Sequence, residues 1–157
     1  MQLSRLENEV LEKLKGEGLS VFQVKDVSLL LGFSKVKTYN VLKSLKKKGA
    51  IVSVRAGFFA FSGASDFAVG ARLNWPSYLS FWSALNYHGI SDQTPKLLFF
   101  ASTKRKRFVK GFKYVALSRK RFFGYFSAGE VVAAEVEKAI IDSLLFPKYS
   151  GGMKEVF

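Results

Sequence analysis

The chain has 157 residues, 48% of them hydrophobic and 24% charged, with 25 Lys+Arg against 12 Asp+Glu and a formal net charge of +13. That balance supports a packed core and excludes wholesale disorder, while the absence of cysteine excludes disulfides and thiolate metal sites. The charge favours a polyanionic partner: DNA, RNA or an anionic membrane surface. The excess is spread along the chain. Residues 1–63 hold 11 Lys+Arg against 5 Asp+Glu, and residues 64–157 hold 14 against 7. No run of about 18 apolar residues occurs, so no membrane-spanning helix is expected. The first turns are amphipathic and acidic rather than signal-like, and the lack of cysteine fits a cytoplasmic protein.

Leu3, Leu6, Val10, Leu11 and Leu14 recur at helical spacing, with Glu7, Glu9, Glu12 and Lys13 between them. This predicts an amphipathic helix stopping at Gly16 or Gly18. Ser20 is expected to cap a second helix, with Phe22, Val24, Val27, Leu30 and Leu31 as its apolar set, and Gly32 breaks it. Only Phe33 separates Gly32 from Ser34, the expected cap of a third helix running to Gly49. Two helices joined by a short glycine-containing turn are the helix-turn-helix signature.

In the third helix Thr38, Val41, Leu42 and Leu45 share one face. Lys35, Val36, Lys37, Tyr39, Asn40, Lys43 and Lys47 occupy the remainder. Lysines donate to phosphates, whereas Asn and Tyr donate or accept at base edges. Ser34, Lys35, Lys37, Tyr39, Asn40 and Lys43 are therefore the candidate DNA-contacting residues of a recognition helix. The plain alternative is a solvated, Lys-rich helix. After Gly49 the period changes to two. Residues 51–55 and 58–62 flank Ala56-Gly57, a two-residue hairpin turn. Arg55 and Gly57 at its tip can approach a phosphate or a narrow minor groove. Three helices and a hairpin predict a winged helix-turn-helix domain over residues 1–63, used for DNA or, alternatively, for protein contacts.

Residues 64–157 are expected to form a second, α+β domain. Asp66 can cap a short helix carrying Phe67, Ala68, Val69 and Leu73. Trp75-Pro76-Ser77 reads as the start of a buried helix, with Ser77 as its cap, lined by Tyr78, Leu79, Phe81, Trp82, Leu85 and Tyr87 and ending at Gly89. Leu97–Ala101 is a continuous apolar run, as in a central strand covered on both faces. Phe112–Leu117, Phe122–Phe126 and Val131–Ala134 are further predicted strands. Glu135 opens a last helix, with Val136, Ala139, Ile140, Ser143 and Leu144 inward, up to Pro147. The expected arrangement is helices on a short mixed or antiparallel sheet. Tyr149–Phe157 reads as a helix start that stops early, whether by nature or by truncation.

Lys104, Arg105, Lys106 and Arg107 join the first two predicted strands, with Lys110 close behind and Arg119, Lys120 and Arg121 after the next strand. These cations are candidates for an auxiliary phosphate-gripping patch, with Phe108 placed to stack on a base. The alternative is a solvated hairpin tip. No cofactor is expected. His88 is the single histidine, and with no cysteine a zinc site is not expected. Ser91, His88 and Asp92 lack the accompanying motifs of a catalytic triad. Glu135-Val136-Glu137-Lys138 has the wrong spacing for a Mg²⁺-dependent nuclease, so Lys138 is expected to pair with Asp142 at i, i+4.

Tyr78-Leu79-Ser80, Ala84 through Pro95, Phe123-Gly124-Tyr125, Glu137 through Leu145 and Tyr149-Ser150-Gly151-Gly152 resemble the AbiEi-type antitoxins, also described as predicted transcriptional regulators of viral defence systems. The resemblance spans about residues 20–152. It departs from the family in having Val136 where proline often precedes Glu-Lys, and in ending where many members continue. It implies a DNA-binding regulator that represses its own operon at inverted repeats. It further implies antagonism of a nucleotidyltransferase toxin in a type IV toxin–antitoxin pair. Residues and resemblance together predict a non-enzymatic, sequence-specific DNA-binding transcriptional regulator. The alternatives are a protein-interaction module that neutralises a toxin and a metal-dependent nuclease.

Overall fold

The computed structural model describes residues 2–92, 95–104 and 109–151. The chain divides into two units, Met1–Ser65 and Asp66–Phe157. The class is α+β, with six α-helices and two sheets among the described residues.

The first unit runs α1 (Arg5–Gly16), β1 (Val21–Gln23), α2 (Val24–Leu31), α3 (Lys35–Lys47), β2 (Ile51–Arg55) and β3 (Phe58–Phe61). Ser4 caps α1 in a capping box: its hydroxyl accepts from the Glu7 N–H, and Glu7 accepts from the Ser4 N–H. The second helix starts later than its apolar spacing suggests. Ser20 does not cap it. Val21, Phe22 and Gln23 instead pair antiparallel with Ala60, Phe59 and Phe58. Their side chains suit a pleated edge better than a first helical turn. The helix then begins at Val24, where Asp26 accepts from the Gln23 N–H at 2.9 Å.

Gly32 ends α2 in the left-handed conformation (φ 68°), which a side chain would resist. Ser34 restarts the chain as the cap of α3, accepting from the Lys37 N–H. β3 lies between β1 and β2, all antiparallel, and the β2–β3 register shifts between Ser53 and Arg55. Val10, Leu11, Leu14, Phe22, Val27, Leu42, Leu45 and Ile51 form the core. Each large aliphatic buried there contributes roughly 1.5–3 kcal/mol.

The second unit runs α4 (Asp66–Leu73), β4 (Ser77–Leu79), α5 (Phe81–Tyr87), β5 (Leu98–Ser102), β6 (Phe112–Ala116), β7 (Tyr125–Ala128), β8 (Val131–Ala134) and α6 (Val136–Leu145). Three-residue and four-residue 3-10 turns lie at Arg119–Arg121 and Pro147–Ser150. The sheet is mixed, in the order β6-β5-β4-β8-β7. Ser77 is not a helix cap. With Tyr78 and Leu79 it makes the middle strand, antiparallel to β5 and parallel to β8. The Ser77 hydroxyl donates to the Ala71 carbonyl at 2.8 Å. Helix α5 therefore starts at Phe81, three residues later than expected. Asp66 lies within α4 rather than ahead of it, and the third expected strand begins at Tyr125 rather than Phe122. Gly70 of α4 leaves room for the sheet: a Cβ there would run into the Phe100 ring.

β5 and β6 run parallel, Leu98 opposite Phe112 and Ser102 opposite Ala116. A parallel pair is not joined by a tight hairpin, so the hairpin-tip alternative does not hold.

The inward face of α6 also differs from its periodicity. Lys138, Ala139, Asp142 and Ser143 are buried, while Ile140, Ile141, Leu144 and Leu145 are 40–44% exposed. The reason is polar. Lys138 Nζ lies 2.7 Å from Asp142 Oδ1, with the two side chains 3% and 0% exposed. Tyr78 and Ser80 donate to Asp142 Oδ2 at 2.9 and 2.7 Å. Burial, then the Asp142 charge, push the Tyr78 hydroxyl well above its ordinary range, so it stays a donor. A carboxylate this deep must be paired and hydrogen-bonded, and the helix rolls to meet its partners.

Candidate nucleic-acid interface

Helix α3 separates its side chains cleanly. Thr38, Leu42 and Leu45 are buried, and the Thr38 hydroxyl donates to the Ser34 carbonyl at 2.9 Å. At 100° per residue, the stripe opposite them is Val36, Asn40, Lys43 and Lys47, all exposed. Lys35, Tyr39 and Lys46 flank it on one side and Lys37 on the other, again exposed. Asn40 and Lys43 thus stand at the centre of the outer face, and Lys35, Lys37 and Tyr39 at its margins. Ser34 is exposed, but its hydroxyl is engaged as the helix cap. Lys37 Nζ sits 4.0 Å from the Phe33 ring centroid, a cation–π contact that ties it to the turn before the helix.

Lys48, just past the helix, is not part of this face. Its Nζ lies 2.7 Å from Glu7, which also accepts from the Ser44 hydroxyl at 2.6 Å. Glu7 is 5% exposed. The Lys48 hydrogen bond, then those of Ser44 and the Ser4 N–H, hold its carboxyl down from 4.5 to about 2. A depressed carboxylate pKa contributes stability above the unfolded value and loses it as pH falls through the folded one. The first unit is therefore expected to lose stability between about pH 4.5 and 2. Glu7→Gln should flatten that loss in melting curves followed by circular dichroism. An unchanged acid limb would show that other carboxyls set it.

Arg55 stands at the β2–β3 turn with its guanidinium 4.5 Å from the Phe58 ring, and Gly57 takes φ 80° in that turn. In the second unit Lys104 and Lys110 are exposed, as are Arg119, Lys120 and Arg121. Arg105, Lys106 and Arg107 lie outside the described residues, as does Phe108. Because β5 and β6 are parallel, Lys104 and the Arg119–Arg121 turn leave the sheet at the same end. Lys110 precedes β6 and lies at the other end.

The carboxylates do not converge. Asp142 is bound internally, Glu135 and Glu137 are exposed, and among the described residues no group of three His, Cys, Asp or Glu side chains is assembled. His88 closes α5, its Nε2 2.7 Å from the Ala134 carbonyl, and the Ser91 hydroxyl accepts from Trp82 Nε1 at 2.9 Å. The hydrogen bonds of His88 and Ser91 are thus with Ala134 and Trp82, and none joins either of them to Asp92 among the described residues. No helix among the described residues is long and apolar enough to cross a membrane.

Comparison with known proteins finds no matching family model and no matching curated protein.

Two features of α3 were not among the sequence-derived candidates. Val36 and Lys47 belong to the central outer stripe, and their spacing from Asn40 and Lys43 already carries that signal. The internal use of Lys48 needed a contact 41 residues away, which no local pattern contains.

Proposed function

We propose that residues 1–63 form a winged helix-turn-helix domain and that the protein is a sequence-specific, duplex-DNA-binding transcriptional regulator without catalytic activity. The observation that carries the reading is the division of α3: Thr38, Leu42 and Leu45 inward, Asn40 and Lys43 outward among further lysines. A helix so disposed lays cations along phosphates and an amide on base edges. Arg55 and Gly57 on the β2–β3 hairpin are the wing contacts. Lys104 and Arg119–Arg121, at one end of the second unit's sheet, are auxiliary phosphate contacts.

Asn40→Ala is expected to cost about 1–3 kcal/mol on the selected duplex and little on random duplex. Lys43→Ala should weaken both and lower the salt slope by about one. Gel shifts across a salt series measure these. Equal losses on both duplexes for Asn40→Ala would remove its base-reading role.

The resemblance to AbiEi-type antitoxins extends the proposal to autorepression at inverted repeats and antagonism of a nucleotidyltransferase toxin. Many of the residues that carry the likeness are interior: Tyr78, Leu79, Ser80, Ala84, Leu85, Lys138 and Asp142 are all buried. They support a shared core more directly than a shared toxin-contacting surface. Rescue of growth on co-expression with such a toxin tests the extension, and failure of rescue would leave only the regulator reading.

A further inference from the structure

We infer that Val36 reads the 5-methyl group of thymine next to an adenine read by Asn40, so that the DNA bound by this protein carries A·T pairs beneath the first turns of α3. The inference rests on the DNA-binding reading above and adds the class of sequence recognised.

Val36 is 71% exposed, the most exposed large hydrophobic residue of the helix. It serves neither the core nor the helix, since a β-branched residue at an exposed helical position is less favourable than alanine or lysine. Its exposed neighbours on the helix surface are Lys35, Lys37, Tyr39 and Asn40, with Lys43 one turn further on. A wholly apolar partner laid over Val36 would strip water from those ammonium groups without pairing them. A duplex meets both demands. Its phosphates take the lysines, and the thymine 5-methyl is the apolar group that its major groove presents.

Position adds to chemistry. Val36 and Asn40 are one helical turn apart in the same stripe, about 6 Å along the axis. That spans about two base steps of 3.4 Å. An asparagine amide bonds adenine N6 and N7 in a bidentate pair. A thymine within one or two steps of that adenine then lies under the Val36 methyls.

The test uses the full chain and a pool of short randomised duplexes, from which bound sequences are selected. In the selected duplex each thymine is replaced in turn by uracil, which pairs identically and lacks the methyl. One replacement, within two base pairs of the adenine that Asn40→Ala no longer requires, is expected to weaken wild-type binding about four-fold, the worth of one buried methyl group. Val36→Ser is expected to bind thymine and uracil forms alike, with an unchanged circular dichroism melt. Uracil replacements that are all neutral in the wild type would overturn the inference while leaving the regulator reading in place, and so would a thymine preference that survives in Val36→Ser. A pool with no enrichment would overturn both.

Discussion

Lys138→Met is expected to destabilise the second unit by about 3–5 kcal/mol, the usual cost of leaving one buried charge without its partner. Methionine keeps most of the side-chain volume, so the loss isolates the charge. Asp142 would keep the Tyr78 and Ser80 hydroxyls on Oδ2 but lose the ammonium group on Oδ1. Pairing Lys138→Met with Asp142→Leu removes both charges and should recover much of the loss, because a buried ion pair often does no better than apolar groups of similar size. Both tryptophans of the chain, Trp75 and Trp82, lie in the second unit. Urea unfolding followed by their fluorescence reports on it directly. A loss for Lys138→Met no larger than the ~1 kcal/mol of a solvent-exposed pair would mean that the site is wet.

Phe22→Ala is expected to cost the first unit about 3–5 kcal/mol, the range for emptying a buried aromatic site. Phe22 is fully buried, with the Phe59 ring at 6.3 Å and the Phe61 ring at 5.5 Å. The cavity would open within the core that Phe22 shares with Leu11 and Leu14 of α1 and Leu42 and Leu45 of α3. Far-ultraviolet circular dichroism during urea unfolding measures the change. A loss under ~1 kcal/mol would show that neighbouring rings refill the space.

The part of the fold that the amino-acid order announces is the part with strong local punctuation. Ser34 and Gly49 bracket the third helix, Gly32 marks the turn before it, and Ala56-Gly57 marks the hairpin turn. Each acts within a few residues, so each is visible without tertiary knowledge. The outer face of α3 is legible for the same reason: helical spacing alone sets Asn40 and Lys43 against Leu42 and Leu45.

The strands β1 and β4 were hidden. Three residues show no period, and both adjoin helices whose apolar spacing absorbs them. β4 is also buried along its whole length, so no polar alternation distinguishes it. The parallel pairing of β5 and β6 was missed because residues 103–111 are shorter than an ordinary crossover. The Lys138–Asp142 pair was legible at i, i+4, but its depth was not. Depth depends on Tyr78 and Ser80, more than sixty residues earlier.

Which side of α6 faces inward is thus chosen by the chemistry of one carboxylate, not by greasiness. Rolled about its own axis by half a turn, the same helix would hide four branched aliphatics, Ile140, Ile141, Leu144 and Leu145, and return its lysine to water. The bonds of Asp142 to Lys138, Tyr78 and Ser80 favour the observed orientation, and a change that removes them without an apolar replacement brings the rolled arrangement closer in energy.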